Sequence, residues 1–161
     1  MSHILDADIQ AMLDESARTM AEFTDDHRPL NLYAIYRADL EMPPEKLVAQ
    51  CGHAYLMSYK AALKQRPEIT EGYEGTGNGT KICMYAKNLG QLIRAYRDAK
   101  AAGLPCALII DRRHVLLPHF TGKPIITAVG IGPAYRDEVA HIMKRYSMTR
   151  TAPAVPAVEE N

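Results

Sequence analysis

The stretch LPCALIID, residues 104–111, is apolar almost throughout and closes on a carboxylate. A strand with one wet face alternates apolar and polar residues. This run does not, so it predicts a central strand covered on both sides. Covering both faces of a sheet takes helices, which makes the chain α/β. Asp111 would then stand at the carboxyl end of a buried strand, the edge where open α/β sheets bind their ligands. A carboxylate there can orient water or a hydroxyl, or pair with a lysine. It can equally just open the turn into RRHV, a position that Asp favours.

Strand and helix patterns alternate on either side of that stretch. LNLYAIYR (30–37) alternates and is rich in aromatic and branched residues, and TKICMYA (80–86) and IITAVGIG (125–132) supply two more strands. Two prolines at 43–44 suit a helix start, and that helix is expected to run to about residue 65, before Pro67. GYEGTGNGT (72–80) reads as a glycine-rich loop, NLGQLIRAYRDAKAAG (88–103) as a helix ended by Gly103, and PAYRDEVAHIMKRY (133–146) as a last helix. The expected fold is a three-layer α/β sandwich, a four-stranded mixed sheet with helices on both faces. Residues 3–23 add an amphipathic, acidic N-terminal helix. The divisions that follow are an extension at 1–29, a domain at 30–147 and a disordered tail at 148–161.

The helix after the first strand, PPEKLVAQCGHAYLMSYK (43–60), carries a polar stripe. At 100° per residue Lys46, Gln50 and His53 fall within roughly 60° of arc. Leu47, Cys51, Ala54, Ser58 and Ala62 form a separate arc to face the sheet. A solvated helix edge explains such a stripe. Against that, a lysine in the first helical turn opposes the helix dipole, at a cost of a few tenths of a kcal/mol unless an anion is near. GIGP (130–133) would join the last strand to the last helix, with backbone N–H groups able to hold an anion, or form a close turn needing small residues. Thr127 by default serves sheet propensity. His114 and His119 flank a loop with Arg112, Arg113 and Lys123, a poor metal pattern but a fair phosphate contact.

The composition, 47% hydrophobic over 161 residues, is that of one globular domain. No apolar run is long enough to cross a bilayer, and MSHILDADIQ carries no export signal, so no membrane role is expected. Cys51, Cys83 and Cys106 match no ligand spacing and suit a reduced, cytoplasmic protein. The zero net charge hides an asymmetry. Residues 1–29 balance at about −5, residues 30–150 at about +7, and the tail adds two acids. A basic domain is compatible with a polyanionic partner, and equally with an ordinary surface that leans positive.

Three ordered blocks resemble the type 2 peptidyl-tRNA hydrolases over about residues 31–147. YRADLEM has Arg37, Asp39, Leu40 and Met42 as in the family's RxDLxM, and KLVAQCGHA matches K-[IV]-A-A-Q-x-x-H-A at Lys46, Ala49, Gln50, His53 and Ala54. Asp111 stands as the family's acid at a strand end, and TAVGIGPA follows T-x-L-G-I-G-P-A. The resemblance implies a hydrolase that cleaves the ester between a peptide and the 3′-terminal ribose of tRNA, with no metal or cofactor. It implies a functional set of Lys46, His53, Asp111 and Thr127. Arg37, Lys46, Arg112, Arg113 and Lys123 would contact RNA. Pro43-Pro44-Glu45 replaces the family's GKG, and Arg112-Arg113-His114-Val115 replaces A-G-[RK]-T, which leaves Thr121 as the nearest substitute for the family's threonine. A catalytically impaired relative that only binds tRNA is the alternative implied by those departures. The N-terminal helix could pack on its own domain, mediate a homodimer or shield the basic face.

Overall fold

The first strand, β1 (Leu30–Arg37), is hemmed in by partners on both edges: it pairs in parallel with β2 (Thr80–Ala86) and antiparallel with β6 (Ile125–Tyr135). A computed structural model describes residues 7–21, 28–75 and 79–148. The sheet has five strands in the order β3-β6-β1-β2-β7, with β3 at Cys106–Asp111 and β7 at Ser147–Met148. β4 (Val115–Leu116) and β5 (Phe120–Thr121) form a separate two-stranded ribbon. β1, β2 and β3 all point the same way, so their carboxyl ends share one edge of the sheet.

Alternation along the central strands divides the core. Tyr33 and Ile35 of β1 and Val129 and Ile131 of β6 face α4 (Leu89–Ala101) and α5 (Arg136–Met143), where Leu92, Ala95, Val139 and Ile142 meet them. Ala34 of β1 and Ala128 of β6 face α2 (Pro44–Gln65), packing against Cys51 and Ala54. The α2 face is lined by small residues, and that lets the helix lie close. A Cβ added at Gly130 would sit 2.0 Å from the Ala54 carbonyl oxygen. Ser58 reaches the same strand, its hydroxyl donating to the Gly132 carbonyl at 2.6 Å.

Several expectations are corrected. The sheet has five strands rather than four, because Ser147–Met148 returns to pair with β2 at Met84 and Tyr85. β3 is an edge strand, not a central one; its apolar run reflects α2 on one face and α4 on the other, and Ile110 stays 48% exposed. Residues 72–74 belong to α3 (Pro67–Glu74), which buries Ile69, Thr70 and Tyr73. The last helix begins at Arg136, not Pro133, since β6 runs on through GIGP to Tyr135. Two steps of β1, from Asn31 to Tyr33, face three steps of β6 there, a bulge made possible by Gly132 at φ 98. GIGP is therefore no anion cradle: Gly132 N–H donates to the Pro105 carbonyl at 2.8 Å, and all four residues are buried.

The N-terminal helix, α1, spans Ala7–Ala21. Its residues 7–18 are all exposed, with Ile9, Met12 and Leu13 among them, so those apolar side chains do not pack on the domain. The expected disordered tail, 148–161, starts on Met148, which instead pairs with Met84 of β2, and its remainder lies outside the described residues. Gly130→Ala should force α2 off the sheet, at a cost of about 1–3 kcal/mol or more. A clearly lower Tm for the folded variant checks this, and an unchanged Tm would refute the close approach.

Candidate active site

The first turn of α2 hangs over the carboxyl ends of the strands, and Lys46 is its buried cation. Lys46 is only 8% exposed, and its Nζ donates to Asp111 Oδ2 at 2.7 Å. The ammonium also lies 4.1 Å from the centre of the Phe120 ring, in cation–π range. Phe120, itself 2% exposed, comes from the β4–β5 ribbon and stacks edge-on to His114. Asp111 is the anion that makes a lysine tolerable at a helix start. The pair is heavily desolvated, which strengthens its attraction and raises the cost of removing either partner.

One turn along α2, Gln50 is 5% exposed and Thr127 fully buried, and the Thr127 hydroxyl donates to Gln50 Oε1 at 2.6 Å. Alternation counted back from Ala128, on the α2 side, would turn Thr127 toward α4, yet Ile126 already packs on the α4 side. The register explains the exception. Ile109 pairs with Ala128 but Ile110 pairs with Ile126, so Thr127 is the extra residue of a bulge. Bulges of this kind re-aim side chains beside active sites.

Two polar atoms are left over. Asp111 Oδ1 and Gln50 Nε2 take part in no hydrogen bond among the described residues. The Asp111 side chain keeps 17% of its exposure, so its second oxygen can meet water. The site thus presents an acceptor, a fixed ammonium and an amide donor along one wall.

The remaining expected residues are placed less centrally. His53 is exposed and makes no described contact with the pair, although it shares the helix side of Lys46. Arg112, Arg113 and Lys123 are exposed on the connections flanking the β4–β5 ribbon, beside Asp111. Arg37 is spent internally: its Nε and Nη2 donate to Asp39 at 3.1 and 2.7 Å, and its Nη1 to the Ile126 carbonyl at 3.0 Å. Thr121 is exposed on the ribbon, and its neighbour Phe120 is the residue that meets Lys46. The helical stripe already contained Gln50, but its role depends on the bulge at Thr127, which local sequence does not reveal. No described group of three or more His, Cys, Asp or Glu is placed to hold a metal ion.

A family profile described as "Peptidyl-tRNA hydrolase PTH2" matches residues 30–149, most of the chain. The chain belongs to this peptidyl-tRNA hydrolase family. It is 31% identical over 113 residues to the peptidyl-tRNA hydrolase of Methanocaldococcus jannaschii, covering 70% of this chain and 94% of that protein. It is 28% identical over 138 residues to the mitochondrial peptidyl-tRNA hydrolase 2 of Mus musculus, covering 85% of this chain and 75% of that one. With the human mitochondrial peptidyl-tRNA hydrolase 2 it shares 31% identity over 128 residues, covering 78% and 69%. No described helix of this family member is long and apolar enough to cross a membrane.

The Arg37 guanidinium, by hydrogen bonding to Asp39, holds that carboxyl below its usual range, and the charge of His119 acts in the same direction. An acid with a depressed folded pKa stabilises the fold above its unfolded value of about 4 and loses that contribution as pH falls through the folded value. Asp39→Asn should therefore be less stable than wild type near pH 6, by no more than about 1 kcal/mol for a carboxylate still 35% exposed. The gap should close as pH falls through the folded value of Asp39. Thermal melts across that range check this, and a constant gap at every pH would count against it.

Proposed function

We propose that this family member hydrolyses the ester joining a peptide to the 3′-terminal ribose of tRNA, with Lys46, Asp111, Gln50 and Thr127 as its working set. The Lys46–Asp111 pair carries the proposal, because it combines a buried cation with a carboxylate oxygen left open to solvent. Ester hydrolysis needs an oriented water and a stabilised oxyanion, and fixed donors in a desolvated site supply the second at little reorganisation cost.

In the proposed reaction Asp111 Oδ1 accepts a hydrogen bond from a water and aims its oxygen at the ester carbonyl. As the water attacks, its proton passes to Asp111 and the carbonyl oxygen becomes an oxyanion facing Lys46 Nζ. The Gln50 amide, oriented by Thr127, is a second donor to that oxygen. When the C–O bond breaks, the proton returns to the ribose 3′-oxygen, leaving a free peptide acid and tRNA. Arg112, Arg113 and Lys123 line the approach with positive charge for the RNA backbone. His53, at its exposed position, orients substrate and takes no proton. The three free thiols suit a reducing compartment, the cytosol in this account.

Release of peptide from N-acetylaminoacyl-tRNA tests the assignment. Asp111→Ala and Lys46→Ala should each lower kcat by about 10²–10³, the scale for losing one transition-state contact. His53→Ala should stay within about tenfold of wild type, short of the usual loss of a general acid or base. Unimpaired cleavage by a folded Asp111→Ala variant would overturn the assignment. Wild-type protein that retains the RNA but frees no peptide would be the binding-only relative.

A further inference from the structure

The pair of tyrosines on the other flank of α2 is not used by the ester chemistry. Tyr36, at the end of β1, and Tyr85, its register partner on β2, lie on the same face of the sheet as α2. Their ring centroids are 6.3 Å apart and their planes are inclined by 45°. A cavity of about 470 Å³ opens beside them, lined also by Arg37, Glu41, Met42 and Leu47. That is the size of a small-ligand pocket, with an apolar floor and a few convergent polar groups.

Each lining group has a definite chemistry. The tyrosine rings, with Met42 and Leu47, offer flat apolar surface that suits a π-face. Arg37 is clamped by Asp39 and the Ile126 carbonyl, so its guanidinium is a rigid planar cation at the rim. Glu41 is exposed and held in a left-handed backbone conformation, φ 47 and ψ 41, with its N–H closing a turn onto Ala38 O at 3.1 Å. A non-glycine residue in that region carries strain, which persists where surrounding structure enforces it and clusters at functional sites. Aromatic stacking with a nearby arginine is how proteins hold unpaired bases. A carboxylate accepts a hydrogen bond from an exocyclic base amine.

The cavity is also near the chemistry. Arg37 and Asp111 end strands separated only by β6, so two strand spacings, roughly 10 Å, lie between them. A tRNA ends in cytidine, cytidine, adenosine, and every one of those bases has an exocyclic amine. We propose that the Tyr36–Tyr85 cavity is a nucleobase subsite that stacks a base of the tRNA 3′ end and uses Glu41 to favour adenine or cytosine over uracil. The occupant assigned to it rests on the tRNA-ester reading above.

The test is equilibrium binding of two trinucleotides, CpCpA and UpUpU, to the purified full chain. Wild type should bind CpCpA more tightly. Tyr85→Leu should raise its Kd by about tenfold, within the range for losing one stacked base, while Tyr85→Phe keeps the wild-type affinity. Glu41→Gln should bring the two trinucleotides to similar affinity. If Tyr85→Leu melts below wild type, Glu41→Gln, altered at an exposed position, decides on its own. Equal binding of both trinucleotides by wild type, or undiminished preference in Glu41→Gln, would overturn the subsite. Cleavage of peptidyl-tRNA with no trinucleotide preference would sink the subsite and leave the hydrolase reading standing. Selective, Tyr85-dependent binding without cleavage would uphold the subsite and sink the hydrolase.

Discussion

An ammonium group withdrawn from water at the first turn of a helix has to be answered by an anion, and in this protein Asp111 answers it. Lys46 Nζ and Asp111 Oδ2 lie 2.7 Å apart, with Phe120 closed over the cation. A helix start disfavours positive charge, and burial disfavours any charge, so Lys46 is not placed there by local preference. The contact ties α2 to the end of β3 and fixes where both stand relative to the ribbon that carries Phe120. Well-packed apolar residues would commonly hold such a position as well or better. The proposed function instead gives the pair a chemical role, with the second Asp111 oxygen left for water.

The rest of the fold makes that contact reachable. Ala34, Ala128 and Gly130 present almost no side chain to α2, so the helix can settle on the sheet and lower Lys46 to the level of the strand ends. The bulge at Thr127 then turns a hydroxyl that regular pairing would have sent to the α4 face, and that hydroxyl orients Gln50. Small residues and an irregular strand are thus matched parts of one arrangement. One allows close approach, and the other uses it.

Much of this was legible in the sequence. Helix α2 occupies the span that Pro43, Pro44 and Pro67 mark out, and β1 and β2 follow their alternating or branched patterns to the residue. The stripe of Lys46 and Gln50 stood out by spacing, and the lysine at the helix start already called for an anion. Long-range pairing was hidden. Nothing local shows that β6 inserts antiparallel between β1 and β3, so LPCALIID looked central when it lies at an edge. Its apolar character comes from two covering helices rather than two neighbouring strands. The same blindness concealed the bulge at Thr127 and the extension of β6 through GIGP, since both arise from register between strands far apart in sequence. Two residues of β7 are too few for any pattern, and the glycines after Glu74 masked the helix before them.

The central claim is that the buried pair exists for catalysis and not for stability. The most direct measurement removes both charges while keeping the volume, as Lys46→Met with Asp111→Leu, and compares melting with peptide release from N-acetylaminoacyl-tRNA. The account predicts a folded protein with a Tm at or above that of wild type and a rate of release lower by at least about 10²-fold. A folded double variant that still releases peptide at the wild-type rate would contradict it.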